Sequence, residues 1–359
     1  MMLLAQFKQV APLSQLAGVA ALYFLLCFLP FAVAACSRID FSQCANEHHK
    51  TLSMTNRRYS RLRILVSSIL LALSSAGAVT ASAAEAIDFQ TPQDFLQLPE
   101  GYTLGACSAV AVNSKDEIYL FHRGKHPILC FDQDGKFLRS WGDDQIHTAH
   151  GLRVDKEDNI WATDIGNHRV FKFDSQGKEL LALGTGKPGT ETDQFDKPTD
   201  IAFGPDGEFF VSDGYGNSRV LKFSPNGGFI KTWGTPGMRG GEFNLPHSIV
   251  VDAKNRVLVG DRENNRIQVF DLEGKPLAIW RGYAPYGLAL DPSGNLFVAD
   301  GRANKVNLLD GAGKVKKSWG RKGSKRGQFD MPHMLAFDSS GNLFVAEVNG
   351  QRLQKFVRK

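Results

Sequence analysis

Cysteine is scarce in this chain. Five cysteines in 359 residues are too few for a disulfide scaffold. Excess charge is missing where it would count. The formal net charge is +5, but residues 1–83 carry all of it: Lys8, Arg38, Lys50, Arg57, Arg58, Arg61 and Arg63 stand there against Asp40 and Glu47. Residues 84–359 hold 35 basic and 35 acidic side chains. A neutral domain lacks the electrostatic footprint of phosphate-backbone binding, so no nucleic-acid partner is expected. A helical period is absent throughout the repetitive part of the chain. General disorder is excluded too, because hydrophobic residues make up 43% and charged residues only 22%. What is abundant is Gly (36) and Phe (25), in a length that admits two domains or one large all-β domain.

Two apolar stretches open the chain. Val10–Ala35 is uncharged and long enough to span a bilayer. Ile64–Ala84 follows the basic run Arg57–Arg63 and ends in Ala81-Ser82-Ala83, a small-x-small cleavage pattern. Starting translation at Met54 would make residues 54–83 a signal peptide of ordinary length and residues 1–53 an overextended start. The alternative keeps residues 10–35 as a membrane anchor or signal, with Val33-Ala34-Ala35-Cys36 resembling a lipoprotein cleavage box. Either way the domain at 84–359 is exported, to a periplasmic or extracellular site. Only Cys107 and Cys130 remain in it, and they are expected on non-adjacent strands, unpaired.

That domain repeats itself. His150–Asp164, Thr199–Asp213, His247–Asp261 and His333–Glu347 align by eye, joined by Tyr286–Asp300 and, less closely, Ser108–His122. The starts are spaced by 42, 49, 48, 39 and 47 residues, the period of a propeller blade. Each unit splits into short apolar runs at turn signals such as Asp206-Gly207. Each also places a large apolar residue six positions after a glycine: Trp141, Leu183, Trp233, Trp280 and Trp319. The fold expected is an all-β, six-bladed propeller of four-stranded blades. The last unit ends one strand short. Ala84–Leu104, with Asp94-Phe95-Leu96-Gln97-Leu98, is expected to supply the missing outer strand and close the ring.

In such a ring the residue entering each innermost strand faces the axis. Those residues are Ser108, His150, Thr199, His247, Tyr286 and His333. Histidine occupies alternate blades only, about 120° apart, so three imidazoles would meet at one point. Three nitrogens with an open fourth position suit zinc. The aspartates ending the second strands (Asp164, Asp213, Asp261, Asp300) and the following Arg169, Arg219 and Arg266 recur in blade after blade and read as turn-holding residues. Of the other histidines, His126 and His168 read as solvated loop residues. Breaks in the repeat are more informative. Arg123 and Arg262 follow the second-strand terminus in two blades. The loop carrying Tyr215 is one residue longer than most. Two arginines and a tyrosine around an open metal suit an anionic, carboxylate-bearing substrate.

Phe121-His-Arg-Gly124, His150-Gly-Leu152, Pro198-Thr-Asp200, Asp213-Gly-Tyr-Gly-Asn-Ser-Arg219, Pro246-His-Ser248, Asp261-Arg-Glu-Asn264 and Phe329-Asp-Met-Pro-His333 resemble the peptidyl-α-hydroxyglycine α-amidating lyases, six-bladed propellers of NHL-type repeats. The resemblance implies cleavage of the N–Cα bond of an α-hydroxyglycine to give an amide and glyoxylate. It makes His150, His247 and His333 zinc ligands, Tyr215 the base, Arg123 the stabiliser of an oxyanion or carboxylate, and Arg262 and Met331 pocket residues. A free phenol titrates near 10, so a tyrosine base requires nearby positive charge.

The chain departs from the family in three ways. The acidic calcium ligand after the third histidine is Met334, which puts calcium, otherwise held by backbone oxygens near Val110 and Leu152, in doubt. The cysteine after the catalytic tyrosine is Gly216, and the cysteine pair flanking the Asp-Arg-Glu-Asn segment is Leu258 and Val269. No copper-dependent hydroxylase segment is recognised, so the substrate is expected from elsewhere or to be another peptide or small α-hydroxyamide. A monomer is expected. Two readings stay open: the zinc lyase, and a non-catalytic NHL propeller that binds a protein or glycan. A calcium lactonase on the same architecture would need carboxylate and amide ligands on the axis instead of imidazoles.

Overall fold

The structure is a computed structural model that describes residues 87–90 and 95–359. The leader segments 1–53 and 54–83 lie outside the described residues, and no described helix is long and apolar enough to cross a membrane. The described chain is all strand and turn, and six sheets succeed one another around a ring. Five have four antiparallel strands in sequence order, and the sixth has three. The innermost strands are Cys107–Val112, Ala149–Val154, Pro198–Phe203, Pro246–Val251, Pro285–Leu290 and Pro332–Phe337. Six apolar cores alternate with the six blades. Each is built mainly from two neighbours, with Met334 of blade six joining the core between blades one and two, and the set closes with one core between blades six and one.

The glycine-to-tryptophan spacing has a packing cause. Trp141, on the outer strand Phe137–Trp141, lies over the hairpin glycine of the next blade, Gly177, where a Cβ would come within 2.6 Å of the indole. Trp233 does the same at Gly274 and Trp280 at Gly313, while Leu183 takes the place over Gly227. A side chain on any of the three glycines under a tryptophan would push the blades apart. Cys107 and Cys130 are free and buried in two different cores, on the first and third strands of blade one.

Ring closure differs from the sequence expectation in its pairing. The segment around Phe95 does not pair with the third strand of blade six, Arg352–Phe356. Gln97 bridges in parallel to Lys136, in the turn of blade one. Phe95 still fills the tryptophan's place, lying over Gly135 as Trp141 lies over Gly177. The antiparallel partner of the tail is a shorter piece. Phe89 bridges Arg358, the Gln90 amide donates to the Val357 carbonyl, and the Lys359 amide donates to the Asp88 carbonyl. The Phe89 ring sits edge-on to Trp319 at 5.2 Å, where a hairpin glycine sits in the other blades. Lys317 and Lys359 both pair with Asp88. Two short anchors, one on each side of blade six, replace one long strand.

Candidate metal centre

The six entry residues share a backbone irregularity. In every blade the pairing between first and second strands slips at that residue: Ser108, His150, Thr199, His247, Tyr286 and His333 are all passed over by the register. A bulge turns its residue out of the sheet. Here that direction is inward, because the innermost strands line the channel.

The three alternate-blade histidines meet as the spacing required. Their ring centroids stand 4.7, 4.8 and 4.9 Å apart, a nearly equilateral set. The ligand atoms all lie within 4.8 Å of one another, and His150 Nε2 is 3.2 Å from His247 Nε2. Each ring points its other nitrogen at the carbonyl of the next blade's entry residue. His150 Nδ1 donates to Thr199 O, His247 Nδ1 to Tyr286 O and His333 Nδ1 to Ser108 O, each at 2.6 Å. Those bonds place the proton on Nδ1 and leave three Nε2 lone pairs converging. Burial, reinforced by the neighbouring imidazoles and by Arg123 and Arg262, holds His150 and His247 well below their ordinary pKa. Burial likewise brings His333 down to about 3, against the lesser opposing pull of its bond to Ser108. Three neutral acceptors converge, and the neighbouring Tyr215 hydroxyl can donate to only one of them at a time, so the set suits a cation. A 3.2 Å nitrogen separation is close to the ~3.3 Å that tetrahedral bonds of about 2.0–2.1 Å would set. The donor set fits a metal ion.

Tyr215 lies beside this cluster, its hydroxyl 3.2 Å from His150 Nε2 and 3.1 Å from His247 Nε2. Gly214 makes that possible: a Cβ there would meet the Pro246 carbonyl at 2.0 Å, so only glycine lets the loop pass close to the entry of blade four. Arg262 reaches the same hydroxyl, with Nη1 donating at 3.3 Å. Its guanidinium also lies over the rings of Tyr215 and Tyr286, at 5.4 and 4.7 Å. Arg123 stands further out. It is exposed, donates from Nε to the Ala149 carbonyl at 3.0 Å, and acts on His150 and His333 through charge. Its loop, like that of Tyr215, has five residues between second and third strands where the other four blades have four. Met331 precedes Pro332-His333 at φ 58°, its amide held by Asn304 Oδ1.

Several residues went unread in the sequence. Glu263 accepts from Arg262 Nε at 2.9 Å and pairs on its other oxygen with Arg302. Tyr286 was read as an entry residue, but not as the ring that seats Arg262. The recurrent Asp164, Asp213 and Asp261 hold turns, as expected. Asp164 accepts from the His147 and Thr148 amides, and Asp213 and Asp261 hold Arg219 and Arg266. His168 corrects the expectation of a solvated loop, whereas His126, 34% exposed, remains a solvated loop residue. His126 stacks on Tyr102 at 4.3 Å and faces Asp143, while His168, 13% exposed, lies 3.2 Å from Asp196.

Calcium does not fit where the lyase pattern would put it. Met334 is buried among Ala109, Phe121, Ala149 and Leu152 and offers no carboxylate. Deeper along the channel a cation is already built in. Arg153 forks onto Asp200 at 2.9 and 2.6 Å and reaches the Leu288 carbonyl, and Ser248 Oγ also donates to Asp200.

Comparison with known proteins agrees with the motifs. The NHL repeat family matches residues 147–173, 195–223 and 243–270. The chain is 32% identical over 230 residues to the peptidyl-glycine alpha-amidating monooxygenase of Mus musculus, covering 54% of this chain and 24% of that protein. It is 32% identical over 195 residues to a probable peptidyl-alpha-hydroxyglycine alpha-amidating lyase, pgal-1, of Caenorhabditis elegans (46% and 56%). It is 34% identical over 197 residues to NHL repeat-containing protein 3 of Mus musculus (50% and 56%). The chain thus spans about a quarter of the monooxygenase and just over half of the other two. A solved streptogramin B lyase superposes with a TM-score of 0.58 at 16% identity, over 76% of this chain and 98% of that one, and shares its fold. The chain is a six-bladed β-propeller with NHL repeats at residues 147–173, 195–223 and 243–270, and its relatives include proteins named α-amidating lyases.

Proposed function

We propose that the propeller is a zinc-dependent lyase that cleaves the N–Cα bond of an α-hydroxyglycine-type carbinolamide, giving an amide and glyoxylate. The observation that carries the reading is the trio of buried Nε2 lone pairs with the Tyr215 hydroxyl 3.1–3.2 Å from two of them. A binding scaffold has no need of three converging imidazole acceptors combined with a tyrosine hydroxyl and Arg123 beside them. When bound there by His150, His247 and His333, zinc would supply a Lewis acid for the substrate's hydroxyl or carboxylate oxygen.

The chain's own groups take the other parts. Tyr215 receives the hydroxyl proton as the C–O bond becomes a carbonyl. The N–Cα bond breaks, its electron pair stays on nitrogen, and the proton taken from the hydroxyl passes from Tyr215 to that nitrogen, so Tyr215 is restored and no water is consumed. The free end of the Arg123 fork receives the carboxylate or the developing oxyanion. Arg262 and Met331 line the pocket. Export through the leader, with the domain starting near residue 84, belongs to the same reading.

Glyoxylate release from N-benzoyl-α-hydroxyglycine tests it. The zinc-loaded chain should release glyoxylate, and Tyr215→Phe should lower kcat about 10²–10⁴-fold with little change in KM. Full zinc occupancy without glyoxylate, from this and several other carbinolamides, would favour a binding propeller. Equal rates in both proteins would take the base role from Tyr215.

A further inference from the structure

Two arginines face the site, and they are not equally free. Arg123 uses only Nε, on a backbone carbonyl, and is exposed. Arg262 is committed at three points: Nε to Glu263, Nη1 to Tyr215, and its plane to Tyr286. Its side chain is 14% exposed. Glu263 is fixed from behind. Its amide donates to the Asn244 carbonyl and the Arg262 amide to the Leu245 carbonyl, so the loop is tied to the segment that leads into His247. The second carboxylate oxygen of Glu263 pairs with Arg302, which is itself held by Asn265 Oδ1 at 3.0 Å. Burial alone would raise the Glu263 pKa, but the bond from Arg262 and the charges of both arginines keep it below the usual carboxylate range. The carboxylate is therefore anionic and can orient a guanidinium through Nε.

We propose that Glu263, braced by Arg302, is a positioning residue that holds Arg262 on the Tyr215 hydroxyl, so that Arg262 serves the tyrosine and Arg123 alone is left to take the substrate carboxylate. This rests on the lyase reading. A carboxylate forking onto Arg262 would have to displace either the bond to Glu263 or the bond to Tyr215, whereas on the two Nη groups of Arg123 it displaces only solvent. Among the described residues no hydrogen bond joins Arg302 or Glu263 to Tyr215 or to the histidines, so their effect passes through Arg262.

The test has a kinetic and a chemical arm on the zinc-loaded full chain. With N-benzoyl-α-hydroxyglycine, Glu263→Gln should lower kcat about tenfold and leave KM within about twofold, because it removes an interaction that orients the base and not one that binds substrate. Arg302→Gln should act in the same direction, about threefold. In the Tyr215→Phe background Glu263→Gln should change nothing further. A rise in KM at constant kcat, or the same tenfold loss without the tyrosine hydroxyl, would overturn the positioning role. The second arm is independent of turnover. Phenylglyoxal labelling, read peptide by peptide, should modify Arg123 quickly and Arg262 slowly, and Glu263→Gln should speed Arg262 at least fivefold while leaving Arg123 unchanged. Unaltered labelling of Arg262 would overturn the proposal. A wild type that labels as expected but releases no glyoxylate would instead sink the lyase reading and leave the contact standing.

Discussion

Removing the metal should make the propeller acid-labile well above the carboxylate range. His150 and His247 lie well below the ordinary 6.5, and His333 is at about 3, all three because burial penalises the charged ring. In the unfolded chain each would take a proton near pH 6.5. Between that pH and the depressed native values the unfolded state binds more protons, so stability falls as pH falls. Between pH 7 and 5 each histidine contributes a loss of about 2 kcal/mol, and three contribute about 6. That is a large part of a typical 5–15 kcal/mol. The carboxyls held low by their partners, such as Glu117, Asp155 and Glu263, begin to matter only near pH 4.5, while Asp213 and Asp300, raised by burial, oppose the slope. His122, buried and also lowered, adds to the same slope. The assay is urea unfolding of the chelated protein at pH 7, 6, 5.5 and 5, followed by tryptophan fluorescence, beside His247→Gln. The triple slope should drop by about one histidine in the variant. A loss of less than about 2 kcal/mol over the whole range would mean that the cluster takes up protons while folded, and the dry, neutral trio would be wrong.

Three further outcomes follow from the same contacts. His247→Ala should bring bound zinc, measured by elemental analysis of the dialysed protein, from one equivalent to a small fraction, since two imidazoles hold the ion poorly; unchanged stoichiometry would remove the three-ligand site. Phe89→Ala takes a ring away from Trp319, Phe297 and Phe356 and should cost about 3 kcal/mol in denaturant titration; a neutral result would mean that the short N-terminal anchor does not close the ring. Arg153→Met leaves Asp200 buried and unpaired and should cost about 3–5 kcal/mol, while calcium chelation of the wild type should leave its melting temperature unchanged; a marked fall with a calcium-specific chelator would show that another ligand set has replaced the missing carboxylate.

The fold was legible because a propeller writes its period into the chain. The same strand-turn-strand unit recurs every 39–49 residues, and Trp141, Trp233 and Trp280 each meet the next blade's glycine. The histidine trio was legible for a related reason: only a residue at one fixed place in alternate blades can reach a common axial point. Ring closure was legible in part. Phe95 does take the tryptophan's place, but no periodicity reveals a three-residue anchor such as Asp88–Gln90, which breaks the repeat by standing in for a missing hairpin. Glu263 and Arg302 were illegible because their roles come from two loops 39 residues apart meeting at the mouth, and each looks like a surface charge alone. His168 misled because its polar loop context says nothing of Asp196, brought to it by the long connection between blades two and three.

The departures from the lyase pattern show how this chain fixes its tyrosine without covalent ties. Leu258 and Val269, standing where the family has a cysteine pair, are directly opposite one another on adjacent strands and buried in the core between blades four and five. A cross-strand crosslink there would close a short hairpin that the ladder already holds, so an apolar pair of similar reach can replace it. At Gly216 the exchange is different in kind. A Cβ at that position would fall 1.9 Å from the Asp196 carboxylate carbon, so the acidic side chain occupies the space a cysteine would need. Asp196 holds the loop through the backbone, its carbonyl accepting from the Gly216 amide at 2.9 Å, and its own amide is held by Asp213. Asn217 adds bonds to Asp213 and to the Gly189 carbonyl. The Tyr215 loop is thus pinned one residue on either side of the phenol, by the close pass of Gly214 at Pro246 and by Asp196 at Gly216. Hydrogen bonds to a buried carboxylate hold a loop without depending on redox conditions. Arg123, bonded through Nε alone and exposed at the mouth, keeps its two Nη groups for what enters.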